Sequence, residues 1–209
     1  MIELNRKIML IFASLLIISI MLTPLAIAKP SAEKSNDKFD FFQLMCSGVQ
    51  DTTTGTALET YIDDIVKTRH ISNRGWLPDS VLELTVGEET FTMDTEPYSI
   101  DWTTTFDANA IFNNDGTQKQ TALKLTDVVT VYNEDEVIGT LVLNIVSAIE
   151  FTDGSPSGYS GTVVGYGTEA LIGVHISAID LGLVSLPPPT FERLGTITGW
   201  PEQITNIIS

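Results

Sequence analysis

The chain has 209 residues, 43% of them hydrophobic, which is enough for one sizeable core. Its 27 Asp and Glu against 11 Lys and Arg give a net charge of −16, which repels phosphate backbones and excludes a nucleic-acid partner. One cysteine and two histidines exclude an intrachain disulfide framework and a cysteine-rich metal site, so neither a metal nor a cofactor is expected.

Arg6 and Lys7 precede Ile8–Ala28, a run without a charge whose most apolar part is Ile8–Leu22. Pro24 interrupts it, and Ala26-Ile27-Ala28 places small residues where a signal peptidase cuts. Residues 1–28 are therefore expected to form a hydrophobic signal helix cleaved after Ala28. The alternative is an uncleaved anchor, because Ile8–Ala28 could just span a bilayer and serve as a membrane tether. Either way the remainder lies outside the cytoplasm, secreted or at the cell surface. Residues 29–38 (KPSAEKSNDK) read as a flexible linker, which leaves 39–209 as a single domain. Cys46 follows Met45 and lies far beyond the apolar run, so it is no lipid-attachment site and is expected to be a small buried apolar group.

From residue 39 onward the dominant hydrophobic period is two. The first segment to resist is 57–66, where Ala57, Leu58, Tyr61, Ile62, Ile65 and Val66 have helical spacing. A short helix is one expectation there, opposed by the β-branched Thr60, Ile62, Ile65 and Val66. Leu82, Leu84 and Val86 then alternate up to the turn Gly87-Glu88-Glu89, and Phe91 and Met93 resume the pattern. Tyr98–Phe112 is the clearest strand: Trp102 and Phe106 are expected to point into the main core, Asp101 and Asp107 into water. Leu123–Tyr132 comes next, and Asn133–Glu136 turns the chain into Val137–Phe151, whose expected inward set is Val137, Leu141, Leu143, Ile145, Ile149 and Phe151. Asn114-Asp115-Gly116, Asp153–Gly158, Gly167-Thr168-Glu169 and Pro187–Pro189 are further turn signals. The expected fold is all-β, an antiparallel meander of about eight strands closed into a barrel, since closure removes exposed edges. A β-sandwich is the alternative.

Few motifs carry chemistry. Gly165-Tyr166-Gly167-Thr168-Glu169-Ala170 matches a dinucleotide fingerprint in letters, but Leu171–Ile176 after it makes a poor helix and no βαβ alternation surrounds it. Its glycines are expected to serve a tight hairpin at positive φ. Gly158-Tyr159-Ser160-Gly161 misses a nucleophile elbow, because Thr162 stands where glycine is required. Phe112–Gln118 (FNNDGTQ) is no calcium loop, since with Gly116 as the sixth position the first and twelfth would be Ile111 and Ala122, neither of which can ligate; it is a hairpin turn. His70 sits in a locally basic stretch and His175 opposite Ile172, Val174 and Ile176; both are expected to be solvated or structural. Acids dominate between Gly75 and Glu192, where Lys119 and Lys124 are the only bases, and they read as a solvated surface. Asp127 differs: it shares a face with Leu123, Leu125, Val129 and Val131, so in a barrel it would be a carboxylate in an apolar interior, its pKa raised by desolvation. A strand-end position facing water is its other reading. Trp102 and Asp127 are the candidate ligand-binding residues of the lumen; no catalytic residue is assigned.

Thr162–Ile176 (TVVGYGTEALIGVHI) resembles a hairpin of small secreted β-barrels of the allene oxide cyclase and dirigent type. That resemblance implies an eight-stranded antiparallel barrel with a modest apolar cavity, and carries over no catalytic residue. The leading expectation is an exported, non-enzymatic barrel acting through its surface or by binding a small apolar ligand. An isomerase or cyclase using the barrel cavity is the second, and a membrane-tethered ectodomain the third. A lumen filled by Trp102, Phe106 and Leu143 would favour the first; an open lumen with an inward carboxylate would favour the second.

Overall fold

Alternating apolar and polar residues give each strand one dry and one wet face, and the chain buries the dry faces by curling one sheet onto itself. The computed structural model describes residues 39–94, 96–183 and 190–201; the signal segment, the linker and Pro187–Pro189 lie outside them. Eleven strands run in order: β1 Asp40–Ser47, β2 Thr56–Ile62, β3 Ile65–Arg74, β4 Val81–Val86, β5 Glu89–Thr92, β6 Tyr98–Phe112, β7 Gln118–Asn133, β8 Glu136–Thr152, β9 Ser155–Gly167, β10 His175–Leu183 and β11 Thr190–Thr198. Strands β6 to β11 form an antiparallel meander. Strand β1 fits between β11 and β4, and β5 meets the start of β6 in parallel at Thr92 and Ser99, which closes a nine-stranded barrel. The hairpin β2–β3 takes the free edge of β6 beyond β5, pairing Thr68 with Asn109 and Arg74 with Thr104.

The barrel interior divides in two. The half bounded by the β7–β8 and β9–β10 connections is filled by large side chains, among them Phe42, Leu84, Val131, Leu141 and Ile197. A 3-10 turn at Glu169–Leu171 plugs that end with the buried Leu171. Trp102 is fully buried and packs against Trp76 with ring centroids 5.4 Å apart. Asp101 and Asp107 face solvent, as the alternation of β6 requires. Cys46 is a buried free thiol.

Several local expectations are corrected. Residues 57–66 form no helix but the turn of the β2–β3 hairpin, with Asp63 and Asp64 at φ 48° and 65°. Two consecutive positive φ values are what a two-residue hairpin loop with right-handed twist demands, and Asp tolerates them. Val137 points outward at 44% exposure while Ile138 is buried at 5%, because a bulge between Val131 and Tyr132 shifts the phase of the β7–β8 pairing. Ile172 is exposed for a similar reason: it comes after the 3-10 turn and lies outside the alternation of β10. Gly165 and Gly167 lie within β9 and are not the positive-φ residues of the hairpin; Glu169 and Gly173 are. The two glycines instead permit close approach, since a Cβ on Gly167 would lie 2.1 Å from the Leu171 carbonyl oxygen.

Candidate functional site

The second half of the barrel, bounded by the β6–β7 and β8–β9 turns, is open. It holds a cavity of about 620 Å³. Its walls come from the inward face of β6 and β7, with Phe106, Ala108, Ala110, Leu123 and Leu125, and from β3 and the Gly48–Gln50 stretch after β1. The small Ala108 and Ala110 sit where the same alternation carries Ile100 and Trp102 in the filled half, so the change in side-chain size along one strand face opens the lumen.

A layer of buried polar groups separates the two halves. Each strand from β6 to β11 contributes one: Thr104, Asp127, Ser147, Tyr159, Asp180 and Arg193, all less than a tenth exposed. Arg193 organises them. Its Nε lies 3.1 Å from Asp180 Oδ1 on the neighbouring strand, and its Nη2 reaches across the lumen to Asp127 Oδ2 at 3.0 Å. The guanidinium also covers the Trp102 ring, 4.9 Å from its centroid. Thr104 donates its hydroxyl proton to Asp127, and Tyr159 donates to Asp180 while its oxygen lies 3.1 Å from Ser147 Oγ. Gly161 faces Ser147 and Asp180 in the strand register, and a Cβ there would lie 2.4 Å from Ser147 Cβ.

The electrostatics come from burial. Desolvation raises the Asp127 pKa, opposed by the Arg193 guanidinium and the Thr104 hydroxyl. Burial alone would lower the Arg193 pKa, but Asp127 and Asp180 outweigh it and hold the guanidinium charged. The Tyr159 hydroxyl is raised by burial and by the adjacent Asp180, so it serves as a hydrogen-bond donor rather than a phenolate. Burial pushes the Cys46 thiol up to about 12. One guanidinium against two carboxylates leaves the layer at −1 when all three are ionised.

Trp102 and Asp127 both lie inside the barrel, yet neither lines the cavity; the groups of the layer that do are Thr104, Tyr159 and Arg193. Asp127 and Asp180 stand behind them and fix Arg193 in place. Phe106, expected in the main core, instead belongs to the cavity wall and is half-buried, because the lumen beside it is open. Sequence reading missed Asp180, Arg193 and Tyr159. The signal for Asp180 was present, since it continues the inward face of Val174, Ile176 and Ala178, by the argument that singled out Asp127. His70 is exposed and meets Asp107 at 2.7 Å on the outer face; His175 is exposed. Among the described residues no group of three or more His, Cys, Asp or Glu is placed to hold a metal ion, and no helix is long and apolar enough to cross a membrane. No protein-family model, curated protein or solved structure matches the chain.

Proposed function

We propose that this chain is an exported, non-enzymatic β-barrel that holds one small apolar ligand in the open half of its lumen. The observation that carries the reading is the cavity of about 620 Å³ with its Phe, Leu and Ala walls, a size typical of small-molecule sites. Unfilled apolar space lowers stability, so a barrel shaped by stability alone would fill it. Support for export comes from the charge-free run Ile8–Ala28 and the Ala26-Ile27-Ala28 site. The mature protein should begin at Lys29; intact Met1 in the membrane fraction would favour the tethered ectodomain.

The binding test is titration with N-phenylnaphthylamine, a neutral apolar fluorophore. Its emission should rise on binding and fall when a competing alkyl alcohol is added. Ala108→Trp, and the milder Ala110→Phe, should abolish that response by filling the cavity. A response unchanged in both folded variants would place the dye elsewhere and count against the reading.

One observation favours the second reading, an isomerase or cyclase. The lumen is open and Tyr159 lines it with the inward carboxylate Asp180 behind it; the Tyr159 proton is given to Asp180, so its oxygen faces a bound molecule as an acceptor. A ligand recovered from the wild type in rearranged form, but unrearranged from Tyr159→Phe, would support that reading over simple binding.

A further inference from the structure

Charge is sorted within this chain in a way the net charge conceals. Four of the six Lys and Arg between residues 39 and 201 line the cavity: Lys67, Arg69, Arg74 and Arg193, with Lys119 and Lys124 elsewhere. Among the described residues no Asp or Glu lines it, although the chain carries 27 of them. Three of the four bases come from one strand. Lys67 and Arg69 are two apart on β3 and share its inward face, as Arg69 opposite Ala108 requires. Simple alternation would turn residue 74 outward. A bulge between Ile71 and Arg74, with Asn73 at φ 49°, resets the phase and brings Arg74 opposite Thr104 on the cavity side.

The four bases are not equally available. Arg193 is bound to two carboxylates in the layer below. Arg69 pairs with Glu59 of β2 at 2.5 Å, and Glu59 also accepts the Tyr61 hydroxyl. Asp51, bonded to Thr53, lies close enough to Arg74 to feel its charge, but among the described residues neither Lys67 nor Arg74 forms a salt bridge. Lys67 is exposed, and Arg74 is half-buried at the level of the layer, opposite Thr104. The cavity thus has apolar walls with basic side chains along β3, from Lys67 to Arg74 at the level of the layer.

We propose that the ligand is a single-chain anionic amphiphile, whose charge is met by Lys67 and Arg74 along β3 and whose chain lies against Phe106, Ala108 and Leu123. This rests on the binding reading above and names the ligand class for it. A volume of about 620 Å³ suits one chain and excludes a two-chain phospholipid.

The test is calorimetric titration of delipidated protein with three probes of equal chain length: dodecanoate, dodecanol and dodecyltrimethylammonium. The carboxylate should bind about tenfold more tightly than the alcohol at low ionic strength, and the preference should narrow as salt is added. The ammonium should bind weakest. In Lys67→Glu with Arg74→Gln the carboxylate and alcohol should bind within about twofold of each other, with the alcohol unchanged. Lys67→Glu alone, at an exposed position that folding does not depend on, should narrow the preference in the same direction. Alcohol binding as tight as carboxylate binding, or ammonium binding tighter than both, would overturn the anionic ligand and leave the apolar cavity standing. No binding of any of the three would overturn both.

Discussion

Replacing Arg193 by Met tests the buried layer most sharply. The methionine keeps most of the side-chain volume but removes the positive charge from two carboxylates that are both 0% exposed. Leaving buried carboxylates without their partner should destabilise the fold by about 3–5 kcal/mol near neutral pH. The alternative to an unpaired charge is protonation. Holding one carboxyl neutral at pH 7, against an unfolded-state pKa of about 3.9, costs about 4 kcal/mol, which agrees with that range. The sign of the pH dependence is set by the raised Asp127 pKa. A group whose folded pKa lies above its unfolded one contributes stability that is full below the unfolded value and lost as pH rises through the folded one. Without Arg193 the upward shift grows, so the variant should recover about 2.7 kcal/mol from a neutral Asp127 carboxyl when pH falls from 7 to 5. Urea unfolding of variant and wild type at the two pH values reads this as a difference, so titration elsewhere cancels. Adding Asp127→Leu and Asp180→Leu to Arg193→Met should restore much of the loss, because an apolar layer has no charge to solvate. A single variant within about 1 kcal/mol of wild type at pH 7, or an equal deficit at both pH values, would refute the reasoning.

Phe106→Ala removes a half-buried ring from the cavity wall, so its loss should be about 1–2 kcal/mol by urea unfolding, against about 3–5 for Trp102→Ala in the packed half. Gly161→Ala should destabilise by about 1–3 kcal/mol in the same assay, because its Cβ would lie 2.4 Å from Ser147 Cβ and 2.6 Å from the Val146 carbonyl oxygen. Cys46, with its thiol pushed up to about 12, should react with a disulfide reagent at pH 8 about a thousandfold more slowly than a free thiol, and at the ordinary rate once urea unfolds the chain.

What could be read from the residues was whatever depends on near neighbours. The alternation of Tyr98–Phe112 placed Trp102, Asp101 and Asp107 on their faces because register is a local property with a period of two. The same rule failed at Val137, where one extra residue in the pairing with β7 inverted the phase. It left 57–66 open because a short apolar run fits both periods, and the decision lay in the Asp63-Asp64 turn. The order in which the strands meet was not legible, because closure depends on long-range pairing, here β1 between β11 and β4. The site was half visible. Asp127 stood out as an acid on an apolar face, and Asp180 obeys the same pattern. That Arg193 bridges the two across the lumen is a long-range pairing that no local pattern encodes.

Native mass spectrometry of the mature protein isolated from its own host tests the central claim most directly. The account predicts one bound apolar molecule per chain in the wild type, lost in Ala108→Trp, whose side chain would occupy the same space. A wild-type protein that flies at its bare polypeptide mass, and takes up no apolar probe when one is added, would contradict it.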